Sequence, residues 1–142
     1  PPRSTLFPYT TLFRSEECEV SPVFKKLFLN TKDEEVVLIK SPVGLPARAI
    51  LTPFSKKIID GTVEKPKICD ACLKQCSHNF CIIRALEAAR KGDLEHGLFF
   101  TGGNVTKYKD IICVKEIFKR LEEEAESKPD TKTSETLKTS VN

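Results

Sequence analysis

An α/β chain, mostly helical with two short strands, is what this sequence predicts, and three observations predict it. Apolar residues recur at three- and four-residue spacing in four separate stretches. Two short runs, one β-branched and one aromatic, are bounded by polar residues. Gly or Pro punctuates most of the junctions between these segments. Apolar side chains make up 39% of the 142 residues and charged ones 30%, which suits one domain of ordinary size with a single core. The 23 basic and 20 acidic residues are interleaved and net to +3. No basic stripe can track a phosphate backbone, so nucleic-acid binding is not expected. No run approaches the ~18 apolar residues that span a bilayer, so no membrane is expected either. Six cysteines without a signal-peptide pattern, beside long Lys/Glu-rich helices, predict a reducing cytoplasm rather than a secreted disulfide scaffold.

The chain holds no methionine and begins Pro-Pro-Arg, which predicts the tail of a longer protein. Residues 1–15, with STLFPYT echoed by TTLFRS, show no sustained periodicity and resemble translated adapter sequence. They are set aside as non-native or disordered. From Glu16 the elements follow in order. Ser21-Pro22 is an N-cap followed by Pro at N1, and Val23, Phe24, Leu27 and Phe28 give the apolar face of a helix that stops near Asn30. Thr31–Glu35 reads as a polar loop and Val36–Ile39 as a buried strand. Ser41–Pro46 is a turn-rich connector. A second helix is expected between Ala47 and Asp60, with Ile50, Phe54 and Ile58 on one face; Pro53 either kinks it or restarts it with Thr52 as cap. Ile82, Ile83, Leu86 and Ala89 mark a third helix, closed by Gly92. Leu98–Phe100 is a strand candidate, broken by Thr101-Gly102-Gly103-Asn104. Val114, Ile117, Phe118 and Leu121 mark the last helix, with a solvated Lys/Glu face. Residues 127–142 carry almost no apolar content and are expected to be disordered.

The chemistry-bearing stretch is ICDACLKQCSHNFCI, where Cys69, Cys72, Cys76 and Cys81 follow C-x2-C-x3-C-x4-C within 13 residues. Thiolates at this density suit zinc, an iron–sulfur cluster or thiol redox chemistry. A structural zinc site usually separates its two ligand pairs more widely, and a four-iron cluster usually takes C-x2-C-x2-C with a remote fourth ligand. Packing of the thiols as small hydrophobes is the simpler expectation. His78 and His96 read as turn residues, and Cys18 and Cys113 as lone buried thiols. Arg48 stands alone in an apolar run; it can face a ligand anion, but capping a helix or pairing with a carboxylate is the expectation.

Three ordered segments carry a resemblance. SPVGLPARAI (Ser41–Ile50) is similar to the Gly-x-Pro-Ala-Arg-Ala-Ile signature of the nitronate monooxygenase, or 2-nitropropane dioxygenase, family. Cys69–Gly97, with FCIIRALEAARKGDLEHG, resembles the cysteine-bearing stretch and following helix of its bacterial branch. LFFTGGNVTKYKDIICVKEI resembles the family's end, where Ala-Asn often replaces Gly103-Asn104. The resemblance spans about residues 16–124. It implies that residues 16–126 are the C-terminal segment of an FMN-dependent (β/α)8 TIM-barrel enzyme that oxidises alkyl nitronates with dioxygen to carbonyl compounds and nitrite. Its partners would be that small-molecule substrate and dioxygen. It places Gly102, Gly103 and Asn104 against the flavin and substrate cavity, as cofactor-binding candidates beside the reading as a plain turn. The family's catalytic His lies in a Gly-Gly-His motif that neither His78 nor His96 matches, so no catalytic residue is expected here and the segment alone is expected to be inactive. Familiar members need FMN only, so iron–sulfur or zinc at the cysteines is not the favoured expectation. Two other readings stay open: an FMN-dependent enoyl-[acyl-carrier-protein] reductase of the same fold, and a small four-cysteine metal-binding module.

Overall fold

Ser21 opens the first helix as expected: its hydroxyl accepts the Phe24 N–H at 3.1 Å, and Pro22 fills the position whose N–H has no intrahelical partner. In the computed structural model, which describes residues 15–107 and 109–126, the elements run α1 (Pro22–Asn30), β1 (Val36–Lys40), β2 (Pro46–Ile50), α2 (Pro53–Ile59), α3 (Ile82–Lys91) and α4 (Val114–Glu126), with 3-10 turns at 33–35 and 105–107. The expectations for residues 1–14 and for the tail from residue 127 lie outside the described residues. Ser15, set aside with the N-terminal stretch, is buried and bridges Ile112, so the packed fold reaches at least that far.

Residues 47–50 are not helical, which corrects the expected second helix. Pro46–Ile50 pairs antiparallel with Val36–Lys40, Val36 opposite Ile50 and Leu38 opposite Arg48. Ala and Arg favour helix intrinsically, but a neighbouring strand rich in Val and Ile, five residues away across a turn, supplies a ladder that outweighs that preference. Gly44, with φ +85°, lets the turn close. The helix restarts at Thr52, one of the two outcomes Pro53 allowed. Thr52 accepts the Ser55 N–H at 3.3 Å, and Ser55 Oγ accepts the Thr52 N–H at 2.7 Å. That hydroxyl also donates to the Ile50 carbonyl at 3.0 Å and is fully buried. Ser55→Ala is therefore expected to cost about 2 kcal/mol, because a buried N–H loses its acceptor; a lower urea midpoint at unchanged slope is the measurement.

Leu98–Phe100 extends the hairpin without becoming a full strand. Ile50 N–H donates to the Phe99 carbonyl at 2.9 Å, Thr101 N–H donates to the Arg48 carbonyl at 3.0 Å, and Ala49 bridges Phe100. Alternation along the three segments then divides the core. Val37, Ile39, Ala47, Ala49, Leu98 and Phe100 face Phe80, Ala85, Phe54 and Ile58. On the other side Val36, Ile50 and Phe99 face Phe24, Phe28, Ala89 and Val105. α3 is thus used differently from expectation: it buries Ala85 and Ala89, and leaves Ile83 and Leu86 exposed. Small residues win the inward face because the strand segment lies against the helix backbone, Leu98 N–H donating to the Ala85 carbonyl at 3.0 Å. On α4 Ile117 is buried while Phe118 is half exposed. Its first N–H is received by the Glu17 carboxylate at 2.9 Å, an anion placed at the positive end of the helix.

The last turn of α3 carries an exposed ion cluster. Arg90 grips Glu87 with two bonds of 2.9 Å, and Lys91 stands 3.3 Å away. The Arg90 hydrogen bond, then that of Lys91, pulls the Glu87 carboxyl from the ordinary 4.5 to about 2. A depressed folded value means that the stabilisation is complete above pH 4.5 and is lost as pH falls from 4.5 through about 2. The pair is solvent-exposed, so the step is small. It should be present in the urea midpoint of the native protein across that window and missing in Glu87→Gln.

Candidate functional site

Each of the two stretches singled out by sequence is tied to the hairpin by a backbone bond, Thr101 N–H to the Arg48 carbonyl and Ser77 N–H to the Pro42 carbonyl. The turn at Thr101–Asn104 follows directly from the bonds that tie Leu98–Thr101 to β2. Thr101 Oγ1 donates to the Gly102 carbonyl at 3.2 Å, and the Asn104 carbonyl accepts the Lys107 N–H at 3.2 Å, closing the 3-10 turn behind it. That turn is held from outside: Thr106 Oγ1 meets Asp33 Oδ1 at 2.6 Å, and the Lys109 ammonium caps the end of α1 through the Leu29 and Thr31 carbonyls at 3.2 and 2.9 Å. A rigid base thus presents a short exposed loop. Gly102 and Gly103 are exposed, neither holds a positive φ, and a Cβ built on either meets nothing within 4 Å. The protein's own packing does not demand glycine at either position. A flat partner can therefore approach the backbone there, with the half-exposed Asn104 amide offering donor and acceptor. This fits the edge of a planar flavin. The described residues of the turn contain no cradle of converging N–H groups for a phosphate, so they fit a contact with FMN and not its main anchorage.

The cysteines come together in a different way from a plain helix cap. Cys69, Cys72, Cys76 and Cys81 all line one small cavity, with His78 and Phe80 in its walls. Cys69 and Cys72 are exposed, Cys76 and Cys81 half-buried, and none is in a disulfide. Exposure at the first pair does not suit thiols acting as packed hydrophobes. Ala71 N–H donates to Cys69 Sγ and His78 N–H to Cys76 Sγ, both at 3.4 Å. Cys81, at the N-cap of α3, donates to Asp70 at 3.3 Å, and Arg84 clamps the same carboxylate at 3.1 and 3.3 Å. The Arg84 bond, then that of Cys81, holds the Asp70 carboxyl below its usual range. Among the described residues no three His, Cys, Asp or Glu side chains stand in the geometry that holds a metal ion.

Arg48 lies exposed on β2, opposite Leu38, and among the described residues no carboxylate pairs with it. His96 does sit in a turn, its Nδ1 2.8 Å from Asp93 Oδ2. His78 takes a left-handed φ of +54° in a stretch without regular structure. Cys18 and Cys113 are half-buried. Sequence reading missed a cleft of about 540 Å³ between the hairpin, α2 and the loop after it, lined by Leu38, Lys40, Ile58, Val63, Lys65 and Phe80. Its walls come from three separated segments, which no local pattern joins, although its size is that of ligand pockets. Among the described residues no helix is long and apolar enough to cross a membrane.

Comparison with known proteins connects these features. A family model described as nitronate monooxygenase matches residues 9–124, beginning inside the stretch set aside by sequence reading. No curated protein matches the chain. Among solved structures, FabK from Thermotoga maritima is 28% identical with a TM-score of 0.60, over 83% of this chain and 37% of that one. A point mutant of the same FabK is 25% identical with a TM-score of 0.61, over 83% of this chain and 33% of that one. FabK is a TIM-barrel enzyme, and the present chain spans about a third of its length. The described residues correspond to a partial α/β segment of such an enzyme, as the two strands and four helices indicate.

Proposed function

Because the chain belongs to the nitronate monooxygenase family, whose model matches residues 9–124, we propose that it is the C-terminal segment of an FMN-dependent enzyme that oxidises alkyl nitronates with dioxygen to a carbonyl compound and nitrite. The family match supports an oxidoreductase. One observation carries it. What supports it is that Gly102, Gly103 and Asn104, the residues the resemblance implies as cofactor-binding, form an exposed turn on a braced base. FMN, when bound, supplies the electron transfer between nitronate and dioxygen. The part left to this chain is positional. Two glycines permit close backbone approach, and the Asn104 amide orients a small polar substrate or the flavin edge. The proposed setting is cytoplasmic, with a small-molecule substrate and dioxygen as the only reaction partners.

The test uses the product of the whole gene. Oxygen consumption and nitrite release on addition of an alkyl nitronate, dependent on bound FMN, are the expected results. Asn104→Ala should raise KM with little change in visible flavin absorbance. Oxidation of NAD(P)H with an enoyl thioester, and none with nitronate, would overturn the reading in favour of a reductase of the same fold.

A further inference from the structure

The cysteine stretch has a structural need that neither the flavin reading nor the hydrophobic core meets. Residues 62–81 contain no helix or strand, and a loop this long inside a packed fold calls for something that orders it. Its own apolar side chains do little over the cysteine stretch itself: Ile68 is 63% and Leu73 37% exposed, while Val63 before it and Phe80 at its end pack on the core. Between those two, one backbone bond ties the loop to the hairpin turn, Ser77 N–H to the Pro42 carbonyl at 3.1 Å. Yet it brings four cysteines around one cavity. It does so with one local device used twice. After Cys69 and again after Cys76, the second residue along, Ala71 or His78, takes a left-handed φ of +49° or +54° and points its N–H at the sulfur. Non-glycine residues adopt this conformation at a cost, and N–H donors to sulfur are what a ligating thiolate requires around it.

We propose that Cys69, Cys72, Cys76 and Cys81 are the four ligands of a single zinc ion that staples this loop onto the start of α3. An all-sulfur donor set selects soft metals over calcium or magnesium. The cavity, at about 20 Å³, has room for one ion as it stands; colour and acid-labile sulfide would mark an iron–sulfur cluster instead. The sulfurs do not yet stand at coordination positions, but rotation about χ1 moves a cysteine Sγ by about 3 Å. Two of the backbone turns that would hold the ion, after Cys69 and after Cys76, are already made. Four thiols release four protons to solvent and four thiolates take Zn²⁺, leaving two net negative charges. Arg84 already neutralises Asp70, the acceptor of the Cys81 S–H, so that carboxylate adds no net charge beside the site when Cys81 exchanges that bond for the ion.

The test uses the full chain, reduced and freed of metal, titrated with zinc while the thiols accessible to a disulfide reagent are counted. One equivalent of zinc should remove four thiols from reaction, and a chelator should restore them. Cobalt in place of zinc should give the thiolate-to-metal charge transfer of a tetrahedral sulfur site. Cys72→Ser should weaken zinc binding by about a hundredfold or more, since even outer-sphere losses reach that scale, whereas Cys18→Ser and His78→Ala should leave four thiols protected. Protection of no thiols, protection unchanged in Cys72→Ser, or a brown protein with acid-labile sulfide would each overturn the proposal. Should Cys72→Ser fail to fold, the thiol count on the unaltered chain decides alone.

Discussion

Gly97→Ala is expected to destabilise the fold by about 3 kcal/mol, the upper part of the usual range for overpacking. A Cβ at this position would lie 2.3 Å from the Asp93 carbonyl oxygen, 2.7 Å from Ala89 N and 2.8 Å from Ala89 Cα. All three obstacles are backbone atoms, two of them in the last turn of α3, so no side chain can swing aside. Relief would require moving the strand segment away from the helix, which would stretch the Leu98 N–H bond to the Ala85 carbonyl and uncover Leu98 and Phe99, both fully buried. The check is thermal melting: at about 4 °C per kcal/mol the midpoint should fall by roughly 12 °C. Gly61→Ala serves as control, because a Cβ there meets nothing within 4 Å. Its left-handed φ of +69° costs only the modest strain of a non-glycine residue in that region. A Gly97→Ala melt no lower than that of the control would show that the strand–helix contact is looser than these distances state.

Gly97 also shows where sequence reading stops. Beside Asp93 and His96 it looks like one more turn residue, and the turn is real, with Asp93 Oδ1 accepting the Glu95 and His96 N–H groups at 2.9 and 3.2 Å. That a helix backbone lies against it is a fact of tertiary packing that no window of neighbours contains. Elements signalled by local chemistry were legible: the Ser21-Pro22 start, the Thr52-Pro53 restart, and the Gly92 stop with its φ of +86°. Elements decided by a distant partner were not. Ala47–Ile50 reads as helix until β1 pairs with it, and α3 hides its alanines rather than its larger Ile83 and Leu86 because a strand crosses there. The candidate site divides in the same way. Motif order located the Gly102–Asn104 turn and the four cysteines, whereas their supports (Asp33 on Thr106, Lys109 on α1, Arg84 on Asp70) join residues far apart in sequence.

Phe99→Ala is expected to cost about 3–5 kcal/mol, the range for removing a buried phenylalanine ring. Phe99 is fully buried, and its ring meets Phe24 at a centroid distance of 5.2 Å and a 50° tilt, while Phe24 stacks on Phe28 at 4.6 Å and 7°. Truncation therefore removes one side of a three-ring packing at the centre of its cluster. The neighbours are poorly able to collapse into the gap. Val105 is held in its 3-10 turn by the Asp33 and Lys109 contacts, and Ile50 by its backbone bond to the Phe99 carbonyl itself. That bond survives the substitution, since it uses main-chain atoms. The expected signature is thus a fall in urea midpoint with an unchanged slope, a stability loss without a change in what unfolds. Phe99→Leu, which keeps most of the volume, should recover more than half of the loss. The consequence for function follows from the same anchor. Phe99 stands three residues before Gly102, on the segment that joins the proposed flavin-facing turn to β2. Loosening it should raise amide hydrogen exchange at Lys107, whose N–H is bonded to the Asn104 carbonyl behind the turn, well before the hairpin opens. Exchange at the turn that rose only together with exchange in β1 and β2 would mean that turn and sheet open as one unit, and that the turn is not hung on Phe99 in the way its packing indicates.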